Sequence, residues 1–119
     1  MDKVNLADTF ARIDEVYKPK LVAEYNDNKI LLTRARGEFV WHKHDDTDDL
    51  FLVVSGRLVI ALRDREVELN AGEMFVVPRG VEHCPRADPE AEIIVIEPMG
   101  TVNTGDGAAS EFTAEPERI

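Results

Sequence analysis

Cysteine is nearly absent from the sequence, and Cys84, the only one, cannot form an intrachain disulfide. This usage fits a reducing compartment, so we expect a cytoplasmic protein. Basic residues are also scarce, with 14 Lys and Arg against 24 Asp and Glu and a net charge of −10. That balance argues against nucleic acid or an anionic membrane as partner. No stretch approaches the roughly 20 apolar residues of a membrane span, and glycine-rich phosphate or dinucleotide patterns are missing.

Histidine is equally rare, but the three histidines are concentrated in two short segments. His42 and His44 are two residues apart, within a predicted strand over residues 39–44. Residues i and i+2 of a strand share a face, about 6.6 Å apart, so both imidazoles can lean toward one ion. Taken alone, such a pair is more often a feature of a surface strand.

The surrounding residues favour a metal site over a surface strand. An acidic cluster follows His44, and its last member, Asp49, begins an apolar strand predicted over residues 49–55. A second segment runs from Gly72 through a strand and a Pro/Gly turn to His83, which opens another strand. Three imidazoles and one carboxylate brought together would form a site for a first-row transition metal.

Both segments resemble the paired motifs of the cupin superfamily. The first motif is a glycine, a His-x-His pair, a glutamate and, after six further residues, a glycine; the second is a glycine, Pro-x-Gly, a histidine and an asparagine. The positions that fit are Gly37, His42, His44, Gly56, Gly72, Pro78, Gly80 and His83. Gly37 is one residue closer to the pair than usual, Asp49 stands where the family has Glu, and Ala87 replaces the closing Asn. The resemblance covers about residues 37–87.

This resemblance implies an all-β fold, a double-stranded β-helix (jelly-roll) barrel with one short N-terminal helix. It implies one divalent transition metal ion held by His42, His44, Asp49 and His83, and a homodimer. Asp is one methylene shorter than Glu and reaches about 1.5 Å less far. Asp49 could therefore bind directly, bind through a water or not bind, and Asp48 is the alternative ligand.

A single domain over residues 1–119 is expected from the chain length. Within it we predict a helix over about 5–17, capped by Asn5, a barrel of some nine short strands over about 20–98, and a polar segment over 99–119. Residues 100–107 form either a surface loop, as we prefer, or a lid over the barrel mouth. In a lid, Asn103 or Thr104 would touch the ligand.

Three further residues lie outside the proposed set of ligands. Arg34 and Arg36 either bind an anionic group in the barrel or, as we prefer, meet solvent and acidic side chains. Cys84 follows the proposed ligand His83 and is predicted to point away from the metal as a small buried residue.

The whole chain looks most like small stand-alone cupins of the mannose-6-phosphate isomerase-like type. This implies a metal-dependent enzyme, an isomerase or a dioxygenase, acting on a small polar molecule. The ion would be iron, manganese, zinc, nickel or copper, and no organic cofactor is expected. No residue is an evident catalytic base. The alternatives are a non-enzymatic cupin that binds or senses a small ligand, and a barrel with a vestigial site.

Overall fold

A computed structural model describes residues 2–107, Thr113 and residues 115–119. These residues form one helix and seven strands: α1 (Leu6–Phe10), β1 (Lys20–Tyr25), β2 (Asn28–Glu38), β3 (Asp49–Leu62), β4 (Glu66–Asn70), β5 (Met74–Val77), β6 (His83–Pro98) and β7 (Glu117–Arg118). The protein is therefore all-β with one short N-terminal helix, as the sequence predicts. Part of the polar segment predicted over 99–119, residues 108–112 and Ala114, lies outside the described residues.

Helix α1 is much shorter than the predicted helix over 5–17. Asn5 caps its start as expected, its side chain accepting a backbone N–H of the first turn at 3.0 Å. Beyond Phe10 the chain leaves the helix in a turn, and a distant side chain binds carbonyl groups there. The guanidinium of Arg34 donates to the carbonyl oxygens of Phe10 and Ile13, each at 2.8 Å. The predicted end of the helix is thus wrong.

All seven strands belong to one sheet, in the order β4-β3-β6-β2-β1-β7, with β5 paired to β3. Hydrogen bonds do not close this sheet into a barrel. The long strands β3 and β6 each replace two shorter predicted strands. Strand β3 bends at Gly56, where φ is +79° and an added Cβ would lie 2.3 Å from the carbonyl oxygen of Glu90. Only glycine allows β3 to approach its paired strand β6 this closely.

The bent sheet encloses the main apolar core, to which β2, β3 and β6 contribute most of the buried side chains. Successive residues of a strand point to opposite faces, and β2 shows this clearly. Leu31 enters the main core, whereas Leu32 packs with Phe10 and Ile13 on the outer face of the sheet. The short helix and the turn after it therefore cover apolar surface that would otherwise be exposed.

Residues 39–48 do not form the predicted strand. Their one pairing among the described residues is a bridge in which His42 and His83 exchange backbone hydrogen bonds of 3.0 and 2.9 Å. This bridge fixes the first His-x-His residue directly opposite the first residue of β6. At the other end of the chain, β7 pairs in parallel with β1. The one described helix is too short to cross a membrane.

Candidate metal centre

The three histidines meet in the interior of the bent sheet. His42 is 3% exposed, His44 8% and His83 0%. Their ring centroids lie 4.2 Å (His42 to His83), 5.0 Å (His42 to His44) and 5.9 Å (His44 to His83) apart. One nitrogen of each ring lies within 4.8 Å of the other two, a spacing that could hold one metal ion. The structure thus brings together all three histidines that the sequence singles out.

Backbone carbonyl groups orient two of these rings. Nδ1 of His42 lies 2.9 Å from the carbonyl oxygen of Val40, and Nδ1 of His83 lies 3.0 Å from that of Val81. A carbonyl oxygen can only accept, so each Nδ1 carries the hydrogen and each Nε2 keeps its lone pair. Metal-binding histidines are commonly held in this way by a hydrogen bond at the other ring nitrogen.

Burial keeps two of the imidazoles, those of His42 and His83, neutral. Burial, followed by the charge of the neighbouring His83, lowers the pKa of His42 to about 4. Burial also lowers the pKa of His83 below its ordinary value. The neutral ring is the form that binds metals, so both side chains are ready to act as ligands at neutral pH.

Asp49, the first residue of β3, is 4% exposed and points into the same space. Its Oδ2 lies 3.3 Å from Nε2 of His44. Among the described residues, Oδ1 of Asp49 and the Nε2 atoms of His44 and His83 are buried without a hydrogen-bond partner. Each such atom costs about 1–3 kcal/mol when it stays unsatisfied. Imidazole nitrogens and carboxylate oxygens are donors that a divalent transition metal takes. His44 belongs both to the group of three histidines and to a second group with Asp49 and Glu97, and either group could hold an ion.

Asp48, the alternative ligand, is placed elsewhere. Its side chain is about half exposed, and its Oδ1 accepts the backbone N–H of Arg79 at 2.9 Å. The carboxylate that faces the histidines is therefore that of Asp49.

A second buried carboxyl group belongs to Glu97, near the end of β6. The sequence motifs do not identify it as a residue of the site. It is 3% exposed, and one of its carboxyl oxygens lies within 4.8 Å of a carboxylate oxygen of Asp49. Its Oε1 lies 3.6 Å from Nζ of Lys29, which is 4% exposed. Burial, followed by the charge of Asp49, raises the pKa of Glu97 to about 9. The signal was available, because Glu97 continues the alternation of the inward residues Ile93 and Val95 and so falls on the core face.

Residues 99–107, which we call the closing segment, lie over the histidines. The Asp106 carboxylate accepts the backbone N–H of Lys43 at 2.7 Å, and the Asp106 N–H donates to the Lys43 carbonyl at 3.1 Å. Gly105 packs so tightly that an added Cβ would lie 3.0 Å from the ring of His42 and 3.1 Å from that of His44. Of the two interpretations in the sequence, the structure favours the lid, closing over this chain's own site.

A cavity of about 50 Å³ extends from the histidines into the core. Most of its wall is apolar or aromatic, and Thr33, His42, Asp49, Glu97 and Asn103 supply the polar groups. Among the described residues, no lysine or arginine lines it. Asn103 of the closing segment therefore reaches the cavity. This position agrees with the prediction that Asn103 or Thr104 of a lid would touch the ligand. The hydroxyl of Thr104 instead lies 3.0 Å from that of Thr113.

The two arginines do not reach this cavity. Arg34 pairs with Glu90 at 2.6 Å and Glu92 at 3.2 Å, and Arg36 pairs with Glu90 at 2.6 Å. The preferred interpretation, partnership with acidic side chains, is therefore the one observed. Cys84 is buried as predicted, and burial raises the pKa of its thiol to about 11, which keeps it protonated.

Comparison with known proteins places these features in a family. Residues 31–97 match the sequence model of the Cupin domain family. The crystal structure of a cupin-2 domain protein from Shewanella frigidimarina superposes with a TM-score of 0.79 at 47% identity, covering 80% of this chain and 93% of that one. Protein YdbB of Bacillus subtilis is 33% identical over 87 residues, which are 64% of this chain and 77% of YdbB.

One relative carries the name of an activity. SSO1533 of Saccharolobus solfataricus, provisionally named a dioxygenase, is 26% identical over 86 residues. The match covers 70% of this chain but only 22% of SSO1533. The likeness therefore concerns one part of that longer protein.

Proposed function

Because this chain belongs to the Cupin domain family, we propose that it is a metal-dependent enzyme whose centre is formed by His42, His44, His83 and Asp49. One observation carries this proposal: three imidazoles lie close enough to hold one ion, and the buried Nε2 atoms of His44 and His83 and Oδ1 of Asp49 have no hydrogen-bond partners among the described residues. Such convergence is costly unless a cation satisfies the atoms.

Among iron, manganese, zinc, nickel and copper, we propose iron as the native ion. Mixed imidazole and carboxylate ligands with open positions are typical of non-haem iron oxygenases. When bound, such an ion supplies a redox-active position for dioxygen and a Lewis acid for a chelating substrate. The name of SSO1533 agrees with this choice of a dioxygenase over an isomerase.

The cavity wall supports the same choice. A sugar phosphate isomerase must bind a dianionic phosphate, and proteins do this with arginine, lysine or backbone N–H groups. The described wall contains no lysine or arginine and is mainly apolar. We therefore propose a small, uncharged and largely apolar substrate, and we place the mannose-6-phosphate isomerase-like subtype second.

The residues around the ion would perform three tasks. The backbone carbonyls of Val40 and Val81 hold two imidazoles in the ligand tautomer. The apolar wall orients the body of the substrate. The closing segment covers the histidines and excludes water, which protects a reactive intermediate from side reactions.

A ligand-binding or sensing protein is the second candidate function. The observation that favours it is the tight packing of Gly105 against His42 and His44, which leaves little room for repeated exchange of substrate and product without movement of the closing segment. In this function the cavity would bind the same class of molecule without turnover.

We also propose a homodimer. Met74 and Val76 lie on one side of β5, which pairs with β3 alone among the described strands, and their side chains are 59% and 42% exposed. An exposed apolar edge strand is commonly covered by a partner. Light scattering coupled to size-exclusion chromatography would give the mass, and a monomer would contradict this proposal.

Elemental analysis of protein purified without an affinity tag or added metal tests the main proposal. About one iron per chain is expected, and oxygen uptake should follow addition of a small neutral substrate but not of mannose 6-phosphate. Zinc or manganese with isomerisation of the sugar phosphate would favour the second subtype. Metal-free protein that stays folded and refuses added iron, zinc and cobalt would refute the centre.

A further inference from the structure

Glu97 occupies a position that the proposed ligand set leaves without a role. Its carboxyl group is buried beside Asp49, and one oxygen of each lies within 4.8 Å of the other and of a nitrogen of His44. The three histidines form a separate group that includes neither Asp49 nor Glu97, and His44 belongs to both groups. Glu97 therefore adjoins the centre at His44 and Asp49.

Lys29 is the buried basic partner of Glu97. Its Nζ lies 3.6 Å from Oε1 of Glu97 and donates to the carbonyl oxygen of Thr101 in the closing segment at 2.8 Å. A buried ammonium and a buried carboxyl group are retained only where their partners are well placed, because removing one leaves the other uncompensated. Lys29 thus links Thr101 to Glu97 by polar contacts, and the Glu97 carboxyl group lies within 4.8 Å of that of Asp49.

Asp49 needs such support more than a longer side chain would. Its carboxylate sits about 1.5 Å short of the reach of a glutamate, and Oδ2 is 3.3 Å from Nε2 of His44. The Glu97 carboxyl group lies within 4.8 Å of this short carboxylate and is the neighbour placed to restrict its rotation, while Oδ1 of Asp49 has no hydrogen-bond partner among the described residues. Outer-shell partners of ligating side chains typically matter for metal affinity by 10–100-fold.

We propose that Glu97, held by Lys29, is a positioning residue that orients Asp49 toward the metal ion. This inference rests on the proposed metal centre. It assigns Glu97 no direct bond to the ion, so its effect must pass through Asp49. The contact of Lys29 with Thr101 also ties the closing segment to the same group of side chains.

The test uses Zn²⁺ and Co²⁺ as probes on the full chain, with Glu97→Gln as the variant. The dissociation constant for Zn²⁺ is measured by competition with a chromophoric chelator, and the visible absorption of bound Co²⁺ reports the ligand geometry. We expect Glu97→Gln to bind one ion per chain, 10–100-fold more weakly, with an altered Co²⁺ spectrum. Glu92→Gln is the matched control on the same strand, since Glu92 pairs with Ser55 and Arg34 away from the histidines; it should behave as wild type.

A double-mutant cycle separates positioning from direct binding. In an Asp49→Asn background, Glu97→Gln should cause no further loss of Zn²⁺ affinity, because the side chain on which it acts has lost its charge. Asp49→Glu should restore affinity to Glu97→Gln, because the longer side chain reaches the ion without support. If Glu97→Gln is insoluble, the double variant Lys29→Met with Glu97→Gln removes the buried ammonium together with the carboxyl group, and the same measurements are made on it.

Two results would overturn the inference. One is a Glu97→Gln protein whose Zn²⁺ affinity and Co²⁺ spectrum equal those of Glu92→Gln. The other is an equal loss of affinity with and without the Asp49 carboxylate, which would make Glu97 a ligand or a purely structural residue. Wild-type protein that binds neither ion would instead refute the proposed metal centre itself.

Discussion

Replacing Gly105 by alanine should weaken metal binding although this residue is not a ligand. Gly105 lies in the closing segment with φ of +52°, and its Cα faces the backbone and rings of the His-x-His segment. An added Cβ would lie 2.4 Å from the carbonyl oxygen of Lys43, 3.0 Å from Cδ2 of His42 and 3.1 Å from Cε1 of His44. The methyl group would therefore meet backbone on one side and two proposed ligands on the other.

The expected effect has two parts. An L-residue in the left-handed region costs about 1–2 kcal/mol of stability. Relieving the contact with Lys43 from 2.4 Å to the 3.0 Å below which Cβ atoms are essentially never found needs a shift of about 0.6 Å. Packed interiors do not absorb such a shift without moving side chains. Because the carbonyl lies between the two histidines in the chain, we expect their rings to move and Zn²⁺ affinity to fall about 10–100-fold, as when the support of a ligand is lost.

Gly100→Ala is the matched control. Gly100 lies in the same segment with φ of +89°, but nothing lies within 4 Å of its added Cβ. It should lose a similar amount of stability in thermal unfolding of the metal-free protein and keep the Zn²⁺ affinity of wild type. Equal Zn²⁺ affinities for the two variants would refute the idea that the closing segment presses on the histidines.

Three further predictions concern the ligands and an ion pair. His42→Ala combined with His83→Ala should abolish stoichiometric metal in elemental analysis, since it removes two of three imidazoles; unchanged metal content would contradict the centre. Asp49→Glu should bind Zn²⁺ more tightly, because the longer carboxylate reaches further, and an unchanged affinity would favour a site made of histidines alone. Hydrogen bonds from arginines hold the pKa of Glu90 below its ordinary value. Its contribution to stability is therefore present above the unfolded-state pKa of about 4.5 and is lost as the pH falls through the lower folded-state pKa. The gap in unfolding free energy between wild type and Glu90→Gln should accordingly close on acidification, and a gap independent of pH would exclude this origin.

The three histidines could be predicted from the sequence because their signal is local. A His-x-His pair before an apolar strand, and a histidine after a Pro/Gly turn, each fix a side chain relative to its own strand. The pairing of the two segments follows from the turns between them. Here the bridge between His42 and His83 supplies that pairing with two backbone hydrogen bonds, although residues 39–44 form no strand.

The end of the helix could not be predicted from apolar spacing. That spacing favoured a helix to residue 17, and Phe10, Ile13 and Tyr17 are indeed buried, but the chain buries the last two beyond the helix. The segment after Phe10 is bound by Arg34 of β2, 24 residues further along the chain, and such a contact leaves no local signal in the sequence.

The buried charges around Asp49 show why a motif describes only part of such a site. Asp49, Glu97 and Lys29 are all almost fully buried beside three imidazoles. Burial raises the pKa of Glu97 to about 9, so this carboxyl group holds a proton at neutral pH and adds no charge to the site. This environment does not follow from the motif residues alone, because Lys29 and Glu97 are separated by 68 positions in the sequence and meet only across the paired strands β2 and β6.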